Sequence, residues 1–171
     1  MTCDSNHLLN FASEEQELDT PRLKFLGSLP EWLAYLADRL HADKLAPFVA
    51  DQVIVNEYTP GQGINPHIDH KGSFEGCVIS ITLESGAAMD FKHYQNGKIE
   101  TLYLEPRSAV VLQGEARYQW SHGIEAHRID TFAGIDLPRG RRVSLTFRKA
   151  KDEAIKLHNA SLENNNQRGS L

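Results

Sequence analysis

From Asp51 onwards the sequence alternates between apolar and polar residues with a period of two, in short runs separated by turn residues. In the run 142–148, Val143, Leu145 and Phe147 alternate with polar side chains. Successive side chains of a β-strand point to opposite faces, so this alternation is typical of strands with one apolar face. Asn96-Gly97, between two such runs, is a strong hairpin signal. The chain is therefore expected to fold mainly from short antiparallel strands.

Nine strands are predicted, with one helix ahead of them. The strands are expected at 52–58, 65–69, 77–83, 87–92, 99–104, 109–113, 117–122, 129–133 and 142–148. Before them, Ser28-Leu29-Pro30-Glu31 has capping-box spacing, and apolar residues then recur at helical intervals to about His41. Trp32 is expected to pack in the core. This order predicts a mainly β fold, a double-stranded β-helix or jelly-roll with one N-terminal supporting helix.

The length of 171 residues predicts one domain with a single core, and a composition of 40% hydrophobic and 24% charged residues is ordinary for a globular protein. Residues 1–27 are polar and are expected to form a short lid, 28–151 the domain, and 152–171 a disordered tail. No apolar run reaches the length of a membrane span, and the first residues lack the basic start of a secretory signal. We therefore expect a monomer in the cytoplasm, away from the membrane.

Three residues form a candidate metal site. His67 and Asp69 are two residues apart, so on an extended chain both side chains leave the same face. His122, more than fifty residues downstream, is the best third ligand, because distant strands become neighbours in a β-fold. Two histidines and one carboxylate leave coordination positions open, as in non-haem Fe(II) oxygenases. With only two cysteines in the chain, a closed structural zinc cage is not expected.

The last predicted strand places Arg142, Ser144, Thr146 and Arg148 on one face. The two arginines are roughly 20 Å apart along an extended strand. They cannot easily share one carboxylate, but they can address the two ends of a small dicarboxylate. 2-Oxoglutarate has that shape, so Arg142 and Arg148 are candidate cosubstrate contacts and Ser144 lies between them.

The order of these motifs is more specific than any one of them. It reads Asn56-x-Tyr58-x2-Gly61-x5-His67-x-Asp69, then His122-Gly123, then Arg142-x5-Arg148. With this order the sequence resembles the AlkB family of Fe(II)- and 2-oxoglutarate-dependent dioxygenases, over about residues 50 to 149. Phrases such as Glu105-Pro106-Arg107-Ser108 are most similar to the branch that contains the tRNA wobble-uridine hydroxylase and its single-domain bacterial relatives.

The resemblance implies a role for each matching residue. His67, Asp69 and His122 are implied to be iron ligands, which makes them the catalytic residues. Arg142 is implied to hold the distal carboxylate of 2-oxoglutarate, and Arg148 to be the second arginine, near the metal end. Asn56 and Tyr58 are implied to contact the cosubstrate further. Fe(2+), 2-oxoglutarate and O2 are the expected cofactor and cosubstrates of this oxidoreductase.

Four functions are open at this point. The first is oxidative demethylation of N-alkylated bases in single-stranded DNA or RNA, including tRNA, a reaction of DNA repair or RNA modification. The second is hydroxylation of a modified tRNA uridine. The third is a jelly-roll module that binds nucleic acid without turnover, which has no need of a dicarboxylate site. The fourth is a cupin-like isomerase or hydrolase, which predicts activity without O2 or 2-oxoglutarate.

The formal net charge of −5 predicts weak long-range attraction to nucleic acid. Alkylated or modified nucleic acid would therefore have to meet a local basic surface. Two groups of residues are candidates for it: those flanking the last strand, and those in loops that can rim the pocket. They are Arg139, Arg141, Lys149 and Lys151 in the first group, and Lys71, Lys92, His93 and Lys98 in the second.

Overall fold

A computed structural model describes residues 27–156 with their side chains and, before them, only the backbone of three strands. These strands are β1 (Asn6–Leu9), β2 (Phe11–Ser13) and β3 (Leu23–Phe25). Of residues 1–27, predicted to form a lid, only the backbone of these strands and Gly27 are described, so the lid stays a prediction, as does the tail, most of which lies outside the described residues. In the described part of the tail, 152–156 form a helical turn, and Ile155 packs against Phe74.

One long helix, one short helix and ten strands make up the body of the domain. The helix α1 (Glu31–Ala42) comes first, and a short helix, α2 (Glu115–Tyr118), precedes β10. The strands are β4 (Gln52–Tyr58), β5 (Ile64–His67), β6 (Cys77–Glu84), β7 (Ala87–His93), β8 (Ile99–Leu104), β9 (Ser108–Gln113), β10 (Trp120–Ile124), β11 (Ile129–Phe132), β12 (Ile135–Pro138) and β13 (Arg142–Arg148).

The strands form two main antiparallel sheets. The larger has the order β1-β4-β13-β6-β9, and the smaller has the order β5-β10-β7-β8. Two hairpins, β11-β12 and β2-β3, stand beside them. Apart from the β7-β8 hairpin, neighbouring strands in both main sheets are distant in sequence, as in a jelly-roll, so the predicted fold class is confirmed.

The outer face of the larger sheet is covered by α1. Leu33, Ala37 and Leu40 follow one stripe of the helix and pack against Val53 and Phe147 of the sheet. Burial of this stripe is the main apolar contact that holds the helix in place.

Two predictions about this helix are wrong. Trp32 is 53% exposed, because it lies beside the buried stripe rather than on it. Ser28 does not cap the helix: Pro30 occupies the N-cap position, and no side chain donates or accepts a capping hydrogen bond there. A proline suits a helix start because its fixed φ is compatible with the backbone conformation there, and because it has no N–H that would be left without an acceptor.

A second apolar cluster lies on the smaller sheet, where Ala87, Met89, Leu104 and Ile124 are buried together. It fills one end of the space between the two sheets. The even-numbered residues of β13, which include two arginines, share one face of the larger sheet, opposite the face that α1 covers. A polar face buried inside a β-sandwich is a costly arrangement unless its groups have partners or a ligand.

Three strand predictions differ from the structure. The predicted strand 117–122 begins at Trp120, since the preceding residues form α2. The predicted strand 65–69 ends at His67. The strand β12 was not predicted: Ala133 and Gly134, both at positive φ, form a tight turn that returns the chain as β12. In the part of the chain that the structure describes, no helix has the length and apolar character needed to cross a membrane.

Candidate metal centre and cosubstrate face

The two candidate histidine ligands face each other across a strand pair. His67 is the last residue of β5, and His122 lies in the middle of β10, directly opposite it in the antiparallel register. The centroids of their rings are 4.5 Å apart. The pairing of β5 with β10 therefore brings together two residues that are more than fifty positions apart in sequence.

Asp69 completes the group just beyond the end of β5. Its carboxyl Oδ2 lies 3.7 Å from Nε2 of His122. One possible ligand atom from each of His67, Asp69 and His122 lies within 4.8 Å of the other two. This spacing suits three ligands of one ion. The sequence thus predicted correctly that these three side chains converge.

Two arginines hold Asp69. Arg148, at the end of β13, donates from Nη1 to Asp69 Oδ1 at 2.7 Å and from Nε to Gln52 Oε1 at 2.6 Å. Burial is the largest single influence and raises the pKa of Asp69, but the charges of Arg148, His122 and His67 together with the Arg148 hydrogen bond bring the net pKa below the ordinary value. Asp69 is therefore ionised at neutral pH, with Oδ1 engaged and Oδ2 left to face the histidines.

The second arginine, Arg117, was not singled out in the sequence. Its side chain is almost completely buried, and it donates from Nη1 to the backbone oxygen of Asp69 at 2.7 Å and from Nη2 to that of His70 at 3.2 Å. It therefore fixes the backbone that follows β5. The sequence gives no signal for this role, because a charged residue at the end of a short helix is usually solvated.

Burial also keeps His122 neutral. Its pKa is lowered to about 4, first by burial and then by the neighbouring His67. A neutral imidazole presents a lone pair without having to lose a proton, which is the form that binds a metal.

Close approach between the two strands depends on Gly123, which follows the candidate ligand His122. A Cβ on Gly123 would lie 2.8 Å from the backbone nitrogen of Pro66 and 3.0 Å from the oxygen of Ile64. Any side chain at this position would push β5 away from β10 and separate the histidines. This explains physically why a glycine follows the histidine.

The candidate cosubstrate residues share the buried polar face. In the register of β4 and β13, Arg142 is opposite Tyr58 and Ser144 is opposite Asn56. Arg142 donates from Nη2 to Thr82 Oγ1 at 2.9 Å, and its guanidinium lies 5.4 Å from the centroid of the Tyr58 ring. Thr82, on β6, was not predicted as part of the face.

This face carries polar atoms that have no partner. Nε of the buried Arg142 and Oδ1 of Asn56 have no hydrogen bond within the part of the chain that the structure describes. Buried polar atoms without a hydrogen-bond partner are rare, and a bound ligand or an ordered water usually satisfies them. A carboxylate beside Arg142 would supply the acceptor that the arginine lacks. The residues present therefore fit a dicarboxylate cosubstrate, with one end at Arg142.

The remaining candidates have other places in the fold. His70 lies outside the group of candidate ligands, and its Nδ1 accepts from the backbone N–H of Ser73 at 3.1 Å. Asp130 is buried, ion-paired with Arg139, and accepts from the backbone N–H of Ala88. This pair fastens the β11-β12 hairpin to β7, and it is not part of the metal site.

Two histidines and one carboxylate on a jelly-roll, with a buried arginine on the same face, define the class of non-haem Fe(II) oxygenases that use an organic cosubstrate. The described residues offer no thiolate to this site, since Cys77 packs in the α1 core. The chain belongs to the 2OG-Fe(II) oxygenase superfamily, whose family model matches residues 12–148. It is accordingly a 2-oxoglutarate-dependent dioxygenase of the AlkB type that uses Fe(2+), 2-oxoglutarate and O2.

Three relatives bear on its place in the superfamily. The chain is 35% identical to protein L905 of Acanthamoeba polyphaga mimivirus, over 91% of this chain and 76% of that protein. It is 36% identical to the Alkylated DNA repair protein ALKBH8 homolog of Arabidopsis thaliana, over 75% of this chain and 44% of that protein. It is 38% identical to mouse tRNA (carboxymethyluridine(34)-5-O)-methyltransferase ALKBH8, over 73% of this chain but only 21% of that protein.

A solved structure supports the fold. The structure of OsALKBH1 superposes with a TM-score of 0.56 at 21% identity, covering 73% of this chain and 68% of that one. The chain spans less than half the length of the plant and mouse relatives.

Proposed function

We propose that this chain is a nucleobase dioxygenase that oxidatively demethylates N-alkylated bases in single-stranded DNA or RNA, tRNA included. In this proposal His67, Asp69 and His122 hold the iron. Arg142, Ser144, Asn56 and Tyr58 hold 2-oxoglutarate. Arg148 orients the Asp69 carboxylate through its hydrogen bond and lies at the metal end of the cosubstrate.

The observation that carries the proposal is the convergence of three candidate ligand atoms within 4.8 Å, in a fold that also buries Arg142 with its Nε lacking an acceptor. A module that only binds a metal, without turnover, does not need a buried arginine such as Arg142. An isomerase or hydrolase with the same metal does not need it either. A cosubstrate with a carboxylate at its far end accounts for both features.

The oxidising chemistry would come from bound iron together with 2-oxoglutarate and O2. Held by His67, Asp69 and His122, iron with 2-oxoglutarate and O2 would supply the insertion of one oxygen atom into a substrate C–H bond, with the other oxygen ending in succinate and CO2 released. The hydroxymethyl group that results on a base nitrogen leaves as formaldehyde, and its proton returns to the base nitrogen. The protein's own residues position these reactants and exclude water from the buried face.

Nucleic acid as the substrate class follows from the AlkB-type resemblance and from the depth of the site. Asp69 and His122 are both buried, so a base inside a duplex cannot reach an ion between them. A base must leave its stack to enter, and that costs least in single strands and loops. The proposal therefore names single-stranded substrates.

The test is nucleoside mass spectrometry together with a formaldehyde assay. Single strands carrying N-methyl adenine or N-methyl cytosine are incubated with the enzyme, Fe(2+) and 2-oxoglutarate. We expect loss of the methylated nucleoside, with formaldehyde and succinate in equal amounts. Asp69→Ala, which removes one ligand, is expected to abolish all three. Turnover of 2-oxoglutarate with no change in any base offered would overturn the proposed substrate.

A second candidate is hydroxylation of a modified tRNA uridine. The similarity to the mouse protein named for carboxymethyluridine supports it. The two reactions differ in one product, because hydroxylation at a carbon that is not bonded to nitrogen retains the added oxygen and releases no formaldehyde. A gain of one oxygen in a tRNA nucleoside, with no formaldehyde, would favour this second reaction.

The monomeric state and the cytoplasmic location expected from the sequence are part of the proposal. Light scattering on the purified chain tests the first, and fractionation of cells that express it tests the second.

A further inference from the structure

An exposed tyrosine near the metal centre is stacked on a histidine, which in turn contacts a tryptophan. The Tyr94 ring stacks on that of His93, with centroids 5.8 Å apart and planes within 2°. His93 in turn meets Trp120 edge-on at 5.0 Å. Glu115 accepts a hydrogen bond from Trp120 Nε1 at 3.1 Å and lies 3.4 Å from His93 Nε2. We call Tyr94, His93 and Trp120 the ring stack.

A lysine stands over this stack. The ammonium of Lys71 lies 5.7 Å from the centroid of the Tyr94 ring. The backbone of Lys71 is itself held, because Lys151 Nζ donates to its carbonyl oxygen at 2.9 Å. Across residues 27–156, no carboxylate lies within ion-pairing distance of the Lys71 ammonium.

Most of the other basic candidates are engaged by carboxylates. Lys98 pairs with Glu100, and Lys149 pairs with Asp51. Arg139 and Arg141 are also in ion pairs, with Asp130 and with Glu57 and Glu84. A cation already paired with a carboxylate is a poor contact for phosphate. Lys71 is the candidate that combines an unpaired charge with an aromatic face.

The ring stack is connected to the metal ligands along two strands. Trp120 is two residues from His122 on β10 and lies on the same face, and His93 is directly opposite Trp120 on β7. Two residues of strand span roughly 7 Å. Lys71 follows Asp69 by two residues. The tyrosine and the lysine therefore stand beside the metal centre at about the distance of a neighbouring nucleotide.

We propose that Tyr94 and Lys71 bind the nucleotide next to the base that enters the metal site, with its base stacked on Tyr94 and its phosphate at Lys71. This inference rests on the proposed function, since it needs a nucleic-acid substrate. An aromatic face accepts any base, and an ammonium accepts any phosphodiester. The pair therefore favours single strands without selecting a sequence, and a strand held there leaves the adjacent base free to turn into the site.

A single exposed aromatic residue is common on protein surfaces and needs no explanation. Tyr94 differs because its partners restrict its motion. It is 59% exposed, yet it is stacked on one side, and its backbone N–H donates to Gln119 O at 3.0 Å. A preorganised ring loses little freedom when a base stacks on it. Tyr35 provides a matched control because it is also 59% exposed. It lies on α1, which covers the outer face of the larger sheet, away from the face that carries the candidate cosubstrate residues.

The test is fluorescence anisotropy with a short labelled single strand, in RNA and DNA versions of one sequence. The full chain is loaded with Mn(2+) and 2-oxoglutarate. We expect Tyr94→Ala to weaken binding roughly tenfold, and Tyr94→Phe, which keeps the ring, to bind as the unmodified protein does. Tyr35→Ala is expected to bind normally. Equal losses with RNA and DNA are expected, since stacking and phosphate contact do not require the 2′-hydroxyl.

Salt dependence isolates the lysine. Lys71→Gln is expected to reduce the slope of log affinity against log salt by about 0.7, the contribution of one phosphate contact on a single strand. Lys44→Gln, an exposed lysine after α1, should leave the slope unchanged. Normal binding by Tyr94→Ala, or an unchanged slope for Lys71→Gln, overturns the inference.

The failure of this inference is distinguishable from that of the proposed function. If the unmodified enzyme oxidises a base and Tyr94→Ala still binds the strand normally, only the placement of the neighbouring nucleotide is wrong. If the unmodified enzyme binds no strand and oxidises no base, both proposals fail. Both residues are on the surface, so a melting temperature close to that of the unmodified protein confirms that each variant is folded.

Discussion

Replacing Arg148 with methionine tests how the metal centre is built. Arg148 is buried, donates to both Asp69 and Gln52, and lies 4.0 Å from the centroid of the Phe74 ring. Methionine fills much of the same volume but removes the charge and both hydrogen bonds. Asp69 would then be left as a buried carboxylate without its cation.

The expected loss of stability is large. Removing one partner of a buried ion pair costs about 3–5 kcal/mol, because the remaining charge stays desolvated. For a domain of this size, each kcal/mol lowers the melting temperature by roughly 2–4 °C. We therefore expect the metal-free Arg148→Met variant to melt on the order of 10 °C below the unmodified protein.

Metal affinity responds to two opposing effects. Loss of a nearby cation by itself favours binding of a positive ion. Loss of the hydrogen bond frees the Asp69 carboxylate to turn away from the histidines, and partners of this kind are typically worth 10- to 100-fold in metal affinity. The direct bond at 2.7 Å leads us to expect that orientation dominates. Arg148→Lys, which keeps the charge, separates the two effects.

The assays are thermal unfolding of the metal-free protein and titration with Mn(2+) followed by electron paramagnetic resonance. Lys149→Met is the control, because Lys149 pairs with Asp51 at 3.2 Å in a partly exposed position. Such pairs contribute about 0–1 kcal/mol. If Arg148→Met melts and binds metal like the control, the ion pair does not organise the centre, and the reasoning is refuted.

Three further changes have defined outcomes. Arg142→Ala should weaken 2-oxoglutarate binding by roughly 2–5 kcal/mol, measured by calorimetry, since a buried carboxylate would lose its partner. Gly123→Ala, whose Cβ would meet Pro66 at 2.8 Å, should lower stability by about 1–3 kcal/mol and reduce metal affinity, as followed by melting and titration. Burial raises the pKa of Asp130, but hydrogen bonds, chiefly from Arg139, bring it below the ordinary value of about 3.9. The stability that ionised Asp130 contributes is therefore fully present above its ordinary pKa and is lost as pH falls through its lower pKa in the folded protein. The difference in melting temperature between the unmodified protein and Asp130→Asn should be constant from neutral pH to about pH 5 and should disappear below about pH 4.

The alternation of apolar and polar residues predicted most of the strands, because each has one apolar and one polar face. The bounds of β4, β8 and β13 agree with the predicted ones. The convergence of His67, Asp69 and His122 was also predictable, since the first two are close in sequence and few residues can serve as a third candidate ligand. Long-range pairing of β5 with β10 is not visible in a sequence, but the chemistry of the ligands implied it.

The residues that the sequence did not reveal are charged side chains that are buried in the folded protein. Arg117 and Asp130 are charged, and their types are found on surfaces far more often than in cores. Only the folded chain shows that Arg117 binds the backbone after β5 and that Asp130 is neutralised by Arg139. Trp32 is the opposite case, because its size suggested the core although it lies beside the buried stripe of α1.

The central claim is that His67, Asp69 and His122 hold one ferrous ion with 2-oxoglutarate beside it. Absorption spectroscopy under anaerobic conditions tests this claim directly. We predict a visible charge-transfer band when Fe(2+) and 2-oxoglutarate are both added, and no band with Asp69→Ala, whose fold is checked by circular dichroism. Absence of the band in the unmodified protein, or its persistence in Asp69→Ala, would contradict the account.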